Sequence, residues 1–136
     1  MALTEASAKR RVLAGILPVE VLLAGTGVME GDAIMYSSGW YPAINTSGAE
    51  AILIAGQSGN GGETITAYGA AVIELSHTLA NVPTDGQILA LTDANLYGSV
   101  DTEKQDIGHI TGIDADSLHS RAIVWPGQVA YDTAGV

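Results

Sequence analysis

Apolar and polar residues alternate over short stretches of this chain, and turns rich in Gly, Pro, Asp and Ser separate the stretches. A two-residue period predicts β-strands, because successive side chains of a strand point to opposite faces. After residue 24 no segment of twelve or more residues shows the 3.6-residue period of an amphipathic helix, although residues 76–81 could form a helical turn. The pattern predicts an all-β body with strands at 19–23, 33–36, 40–41, 51–54, 64–68, 71–75, 88–91, 96–97, 107–113 and 121–125.

The two halves of the chain repeat a similar pattern. In each half a Gly-led strand and turn are followed by an apolar strand and then by a second alternating strand. Two such units would pack their apolar faces together into one core. The matching segments are 31–43 with 86–99, 52–56 with 108–112, and 64–69 with 122–127, at offsets of 55, 56 and 58 residues.

Composition and net charge argue against several classes of function. Five Lys and Arg against fifteen Asp and Glu give a net charge of -10 over 136 residues, which argues against binding to nucleic acid or to an anionic membrane. The absence of cysteine excludes disulfides, thiolate catalysis and Cys-type metal sites. Only 15% of the residues are charged while 47% are hydrophobic, so we expect other protein to cover part of the surface.

The charge is distributed unevenly, with a basic start and an acidic body. Three of the five cations, Lys9, Arg10 and Arg11, precede an apolar stretch over 12–24. This stretch resembles a signal peptide, but Pro18 and Glu20 interrupt it and it is too short to span a membrane. We divide the chain into an N-terminal arm (1–18) and a β domain (19–136), and expect the basic arm to contact an acidic partner surface. The arm either docks on a neighbouring subunit or folds back on its own domain, for instance as a short helix over residues 5–11.

Residues suited to catalysis or metal binding do not form a recognisable motif. The three histidines His77, His109 and His119 could supply ligands together with Asp114 and Asp116, but their spacing does not place two ligands on one element. The sequence contains no G-x-S-x-G nucleophile elbow, and the Gly-rich loop 56–64 lacks the lysine of a phosphate-binding loop. We predict no catalytic residue, metal or cofactor. Convergence of His109, Asp114 and Asp116 in a small hydrolase stays an alternative.

Three large aromatic residues lie on predicted strands. Trp40, Tyr41 and Trp125 could form a platform that stacks on sugars, as in a carbohydrate-binding or adhesion module. Trp and Tyr are also enriched at subunit interfaces, and they equally serve to cap an apolar core. We favour a core or interface role, and keep the carbohydrate-binding module as the alternative function.

Several short Gly-anchored segments together carry a resemblance to a known family. They are Gly31–Tyr36 with Trp40–Ala43, Gly62–Gly69, Asp85–Leu91, and Ile107–Gly112 closing on Arg121–Val124. In this order, over roughly residues 19–128, the chain resembles the head decoration (capsid cement) proteins of tailed phages. Gly86-Gln87 departs from the Gly-Asp that usually opens the second half in that family.

The resemblance implies a fold, a function and partners. The implied fold is a compact β domain; together with the repeat and the arm described above, we expect an all-β barrel or sandwich, β-tulip-like, with an internal duplication and an extended N-terminal arm. The implied function is that of a non-enzymatic virion protein, made in the host cytoplasm, that binds the outer surface of an assembled phage capsid as a homotrimer and stabilises it by bridging major capsid protein subunits. We expect the partner-binding residues to be Lys9, Arg10, Arg11, Val12, Leu13 and Ile16, together with Trp40 and Tyr41.

Overall fold

The computed structural model describes residues 11–25, 27–43, 51–79, 82–91, 97–99 and 106–127. Its strands pair antiparallel into one curled, half-barrel sheet, which confirms the prediction of a compact all-β fold. Within the described ranges no helix has the length and apolar character needed to cross a membrane. The strands are β1 (Arg11–Leu22), β2 (Ala33–Tyr36), β3 (Trp40–Pro42), β4 (Ala51–Ala55), β5 (Thr64–Ser76), β6 (Ile88–Leu91), β7 (Tyr97–Ser99), β8 (Asp106–Ile113) and β9 (His119–Val124).

Two strands are much longer than the sequence predicted. β1 begins at Arg11, so residues 11–18 of the arm belong to the sheet, and β1 pairs with β5 along most of its length. The predicted break at Gly69 is wrong, because β5 runs through it and the glycine fits closely against Leu17 of β1: a Cβ at Gly69 would lie 3.0 Å from the Leu17 side chain. β5 also continues to Ser76, where a helical turn was expected to begin.

The long strand β5 carries neighbours along both of its edges. The strand order is β3-β2-β4-β5-β9-β8-β6-β7, and β1 pairs with β5 outside this path. β1 occupies one edge of β5 from Thr64 to Glu74. On the other edge, β4 pairs with residues 67–68 and β9 with residues 71–76, so these two strands follow one another along β5.

The internal duplication is present: β2, β4 and β5 correspond to β6, β8 and β9 at an offset of 55 residues. Ile34 pairs with Pro42 as Leu89 pairs with Ser99, so β3 corresponds to β7 at an offset of 57 residues. Ala33 pairs with Ile54 as Ile88 pairs with His109. The register then shifts at equivalent places, between Ile34 and Met35 in the first pair of strands and between Leu89 and Ala90 in the second. The backbone N–H of Gly31 donates to the Ala55 carbonyl at 2.8 Å, and Gly86 donates to Ile110 at 2.9 Å. The sequence offsets of 56 and 58 are therefore wrong: alternating strands resemble one another when shifted, and only hydrogen-bond register fixes their alignment.

Even the turns before β2 and β6 repeat. The Asp32 carboxylate accepts a hydrogen bond from the Met29 backbone N–H at 2.9 Å, and the Gln87 amide oxygen accepts one from Thr84 N–H at 2.9 Å. Gly31 and Gly86 both have positive φ angles, 88° and 81°. The departure from Gly-Asp at Gly86-Gln87 thus preserves the turn, because a side-chain amide oxygen replaces the carboxylate as acceptor.

The two halves differ in how their faces are covered. Neighbouring residues Ala33 and Ile34 belong to different buried clusters, as do Ile54 and Ala55, so the first half is packed on both faces. The larger cluster takes residues from both halves: Ala33, Met35, Ala43, Ala51, Ile54, Ala71, Ile73, Leu75, Leu89, Leu91, Ile107, Ile110, Ala122 and Val124. The smaller cluster belongs to the first half: Val21, Leu23, Val28, Ile34, Ala55, Ile65 and Ala67.

Candidate binding surface

β1 is the outermost strand over its whole length, and it is mostly exposed. Among its twelve residues only Val21 is buried and Val12 half-buried. Its sequence is nevertheless apolar, with Leu13, Ile16, Leu17, Val19 and Leu22 all among the exposed large hydrophobic residues. No other described strand pairs with its free edge. β1 therefore presents apolar side chains, and an edge that no other described strand covers, to a partner.

Irregularities in β1 restrict which partners can add to this edge. The register shifts between Val12 and Ala14, Leu17 has a positive φ of 58°, and Pro18 has no N–H to donate. Bulges and edge prolines are devices that blunt a strand against indiscriminate pairing. The surface is accordingly suited to a partner of matched shape, and poorly suited to open-ended sheet extension.

The N-terminal end of β1 lies in a small charged network. The Arg11 guanidinium contacts the Glu74 carboxylate at 3.2 Å, and Glu74 is also the cross-strand neighbour of Arg121 on β9. The Glu30 carboxylate accepts a hydrogen bond from the Val12 backbone N–H at 2.8 Å. These contacts fix the start of the strand. Lys9 and Arg10 lie outside the described residues.

Trp40 and Tyr41 lie elsewhere, on β3 at one end of the strand order. Trp40 packs against the smaller cluster and Tyr41 against the larger one, so these neighbours point to opposite faces of the strand. The Trp40 ring also meets the Tyr36 ring edge-on, with centroids 5.4 Å apart. Leu23, just beyond β1, forms a bridge with Trp40, so Trp40 lies near the opposite end of β1 from Arg11. Among the predicted partner-binding residues that the structure describes, Trp40 and Tyr41 on β3 therefore lie apart from those at the start of β1.

The acidic turn between β8 and β9 brings together some of the predicted metal ligands. Ligand atoms of Asp114, Asp116 and His119 lie within 4.8 Å of one another, whereas His77 and His109 do not belong to this group. The Asp114 carboxylate already forms an ion pair with Arg121, and the Asp116 carboxylate contacts the His119 ring at 3.1 Å. Each of these side chains therefore has a partner that holds the turn.

The same turn alters one pKa. The Leu118 backbone N–H donates to the Asp116 carboxylate at 2.8 Å, and the His119 ring contacts its other oxygen. These interactions, the Leu118 hydrogen bond first, lower the pKa of Asp116 below its usual value of 3.8. Such a hydrogen bond to the residue two positions on is a common feature of Asp in turns.

Sequence reasoning missed the second half of the exposed strand. Leu17, Val19 and Leu22 were not among the predicted binding residues. A nearly continuous apolar run usually marks a strand buried on both faces, so the exposure of this strand had no sequence signal.

The chain matches no protein-family model, no curated protein and no solved structure.

Proposed function

We propose that this chain is a structural protein of a phage particle, which binds the outer surface of the assembled capsid and stabilises it by bridging major capsid protein subunits. The observation that carries the proposal is β1, an apolar and mostly exposed strand with one edge to which no other described strand pairs. Burying such a strand against another protein would remove several large apolar side chains from water.

The acidic, charge-poor composition supports the same proposal. A net charge of -10 keeps the protein away from the packaged nucleic acid, which suits a location on the capsid exterior. A ligand that binds the assembled shell more tightly than loose subunits stabilises the shell by mass action. Many copies on one particle, self-associated as homotrimers, would add avidity to contacts that are individually weak.

The test is attachment to capsids that lack the protein. Purified chain should co-sediment with the capsids, and Leu13→Asp should weaken attachment about tenfold or more, because burial of a leucine contributes about 1.5–3 kcal/mol. Leu118→Asp is the matched control, since Leu118 is 40% exposed and Leu13 42%, but Leu118 lies in the β8–β9 turn. Absence of attachment by the wild-type chain would contradict the proposal, as would equal attachment of the two variants.

A further inference from the structure

The loop between β4 and β5 contains the pair Asn60-Gly61, the one place in the sequence where Asn precedes Gly. Both residues are exposed. In such a pair the backbone nitrogen of the glycine can attack the carbonyl carbon of the asparagine side chain, because the second residue has no Cβ to hinder the approach. Whether the folded chain permits this attack depends on what holds the Gly61 nitrogen.

The fold fixes the loop around Gly61 without engaging this nitrogen. The Asn60 backbone N–H donates to the Glu63 carboxylate at 2.6 Å, and the Gly62 N–H donates to the Leu23 carbonyl at 2.9 Å. The Gly61 N–H lies between these two donors, and it donates to no acceptor in the part of the chain that the structure describes. The nitrogen is therefore available for reaction without the loss of a hydrogen bond.

The pair Asp85-Gly86 offers an internal comparison, because an aspartate followed by glycine forms the same five-membered ring with loss of water. Both of its residues are exposed, as in the first pair. The Gly86 N–H, however, donates to the Ile110 carbonyl at 2.9 Å. Attack by the Gly86 nitrogen requires this hydrogen bond to break first, so the folded structure protects this pair.

The loop that holds the reactive pair also closes the C-terminal end of β1. Leu23 donates its N–H to the Glu63 carbonyl and accepts the Gly62 N–H, both at 2.9 Å. A Cβ on Gly61 would lie 2.8 Å from backbone atoms of residues 24 and 25, so the loop has no room for an additional main-chain atom. A second carboxylate at position 60 would also lie near the carboxylate of Glu63, and like charges repel.

We propose that Asn60 deamidates spontaneously in the folded protein, and that the product loosens the hydrogen bonds between Leu23 and the loop. The Gly61 nitrogen forms a bond to Cγ of Asn60 and loses its proton to solvent, while the Cγ–Nδ2 bond breaks and ammonia leaves. Water then opens the ring at either carbonyl. One product is aspartate with a normal backbone, and the other is isoaspartate, whose main chain runs through the Cβ. The chain gains a negative charge, and the inference does not depend on capsid binding.

The first test is peptide mapping by mass spectrometry after incubation in mildly alkaline buffer, with and without concentrated urea. Deamidation of Asn60 should proceed at similar rates in the folded and the unfolded chain. Isoaspartate at Asp85 should form roughly two- to tenfold more slowly in the folded chain, the factor expected for breaking one backbone hydrogen bond. Asn60→Gln is the chemical control, because its amide would need a six-membered ring and should stay unmodified. An unmodified Asn60 in the folded chain would overturn the proposal, as would equal protection of Asn60 and Asp85.

Hydrogen exchange measured by NMR tests the effect on the loop. The N–H groups of Leu23 and Gly62 should exchange faster in the deamidated protein, separated by anion exchange, than in the fresh protein. The N–H of Gly86 is the control, since it belongs to a different turn. Asn60→Asp adds the charge but keeps the normal backbone, so it should give a smaller increase. Unchanged exchange at Leu23 and Gly62 in the deamidated protein would overturn the proposed loosening. None of these measurements uses capsids, so failure here is distinguishable from failure of the proposed function.

Discussion

Single hydrogen bonds organise the turn between β8 and β9. The Asp116 carboxylate accepts the Leu118 N–H and contacts the His119 ring, and Asp114 pairs with Arg121. Each of these carboxylates therefore contacts a group that lies within seven positions along the chain. The contacts of Asp116 need its carboxylate in the ionised form, so they weaken in acid.

Asp116 should respond to pH in a defined direction. Its pKa is lowered in the folded chain, so its contribution to stability is complete above pH about 4 and is lost as the pH falls through the lowered value. An NMR titration of the Asp116 side chain should give a midpoint below 3.8. Asp116→Asn, which cannot ionise, should be less stable than the wild type near neutral pH, with the difference shrinking in acid. A midpoint at or above 3.8 would contradict the assignment.

At the scale of elements, the backbones of β8 and β9 approach closely at Gly108. A Cβ at Gly108 would overlap the Ile123 carbonyl oxygen and lie 2.8 Å from the Val124 Cα, both of them backbone atoms that cannot rotate away. Gly108→Ala should therefore destabilise the protein by about 3 kcal/mol, at the upper end of typical overpacking. The measurement is the urea unfolding midpoint. Gly25→Ala is the control, because nothing lies within 4 Å of its added Cβ and it should be nearly neutral.

Elements bounded by turns could be predicted from the sequence, and elements defined by distant partners could not. β2 and β6 have the predicted bounds because Gly31 and Gly86 end the preceding turns and fix where each strand starts. The start of β1 depends on pairing with β5, more than forty positions later, and no local signal marks it. The exposure of Leu17, Val19 and Leu22 was missed for a different reason, because a nearly continuous apolar run is typical of a buried strand.

At the scale of the whole molecule, the larger buried cluster is shared between the two halves. Ala71, Ile73 and Leu75 on β5 pack in the same buried cluster as Ala122 and Val124 on β9. The smaller cluster lies wholly in the first half. Among the described residues, the second half therefore has no buried cluster of its own. The one face that it buries packs against residues of the first half.

This dependence predicts how the halves behave when the chain is divided. The fragment 81–136 should be unfolded alone, because its apolar face has nothing to pack against, and adding fragment 1–80 should restore the strand signal in circular dichroism. A 1–80 fragment carrying Ile73→Asp should fail to restore it, since Ile73 is fully buried and pairs in register with Ala122 of the other half. Independent folding of 81–136 would contradict the shared core. If fragment 81–136 folds only when fragment 1–80 is added, the second half needs the apolar surface of the first half in order to fold.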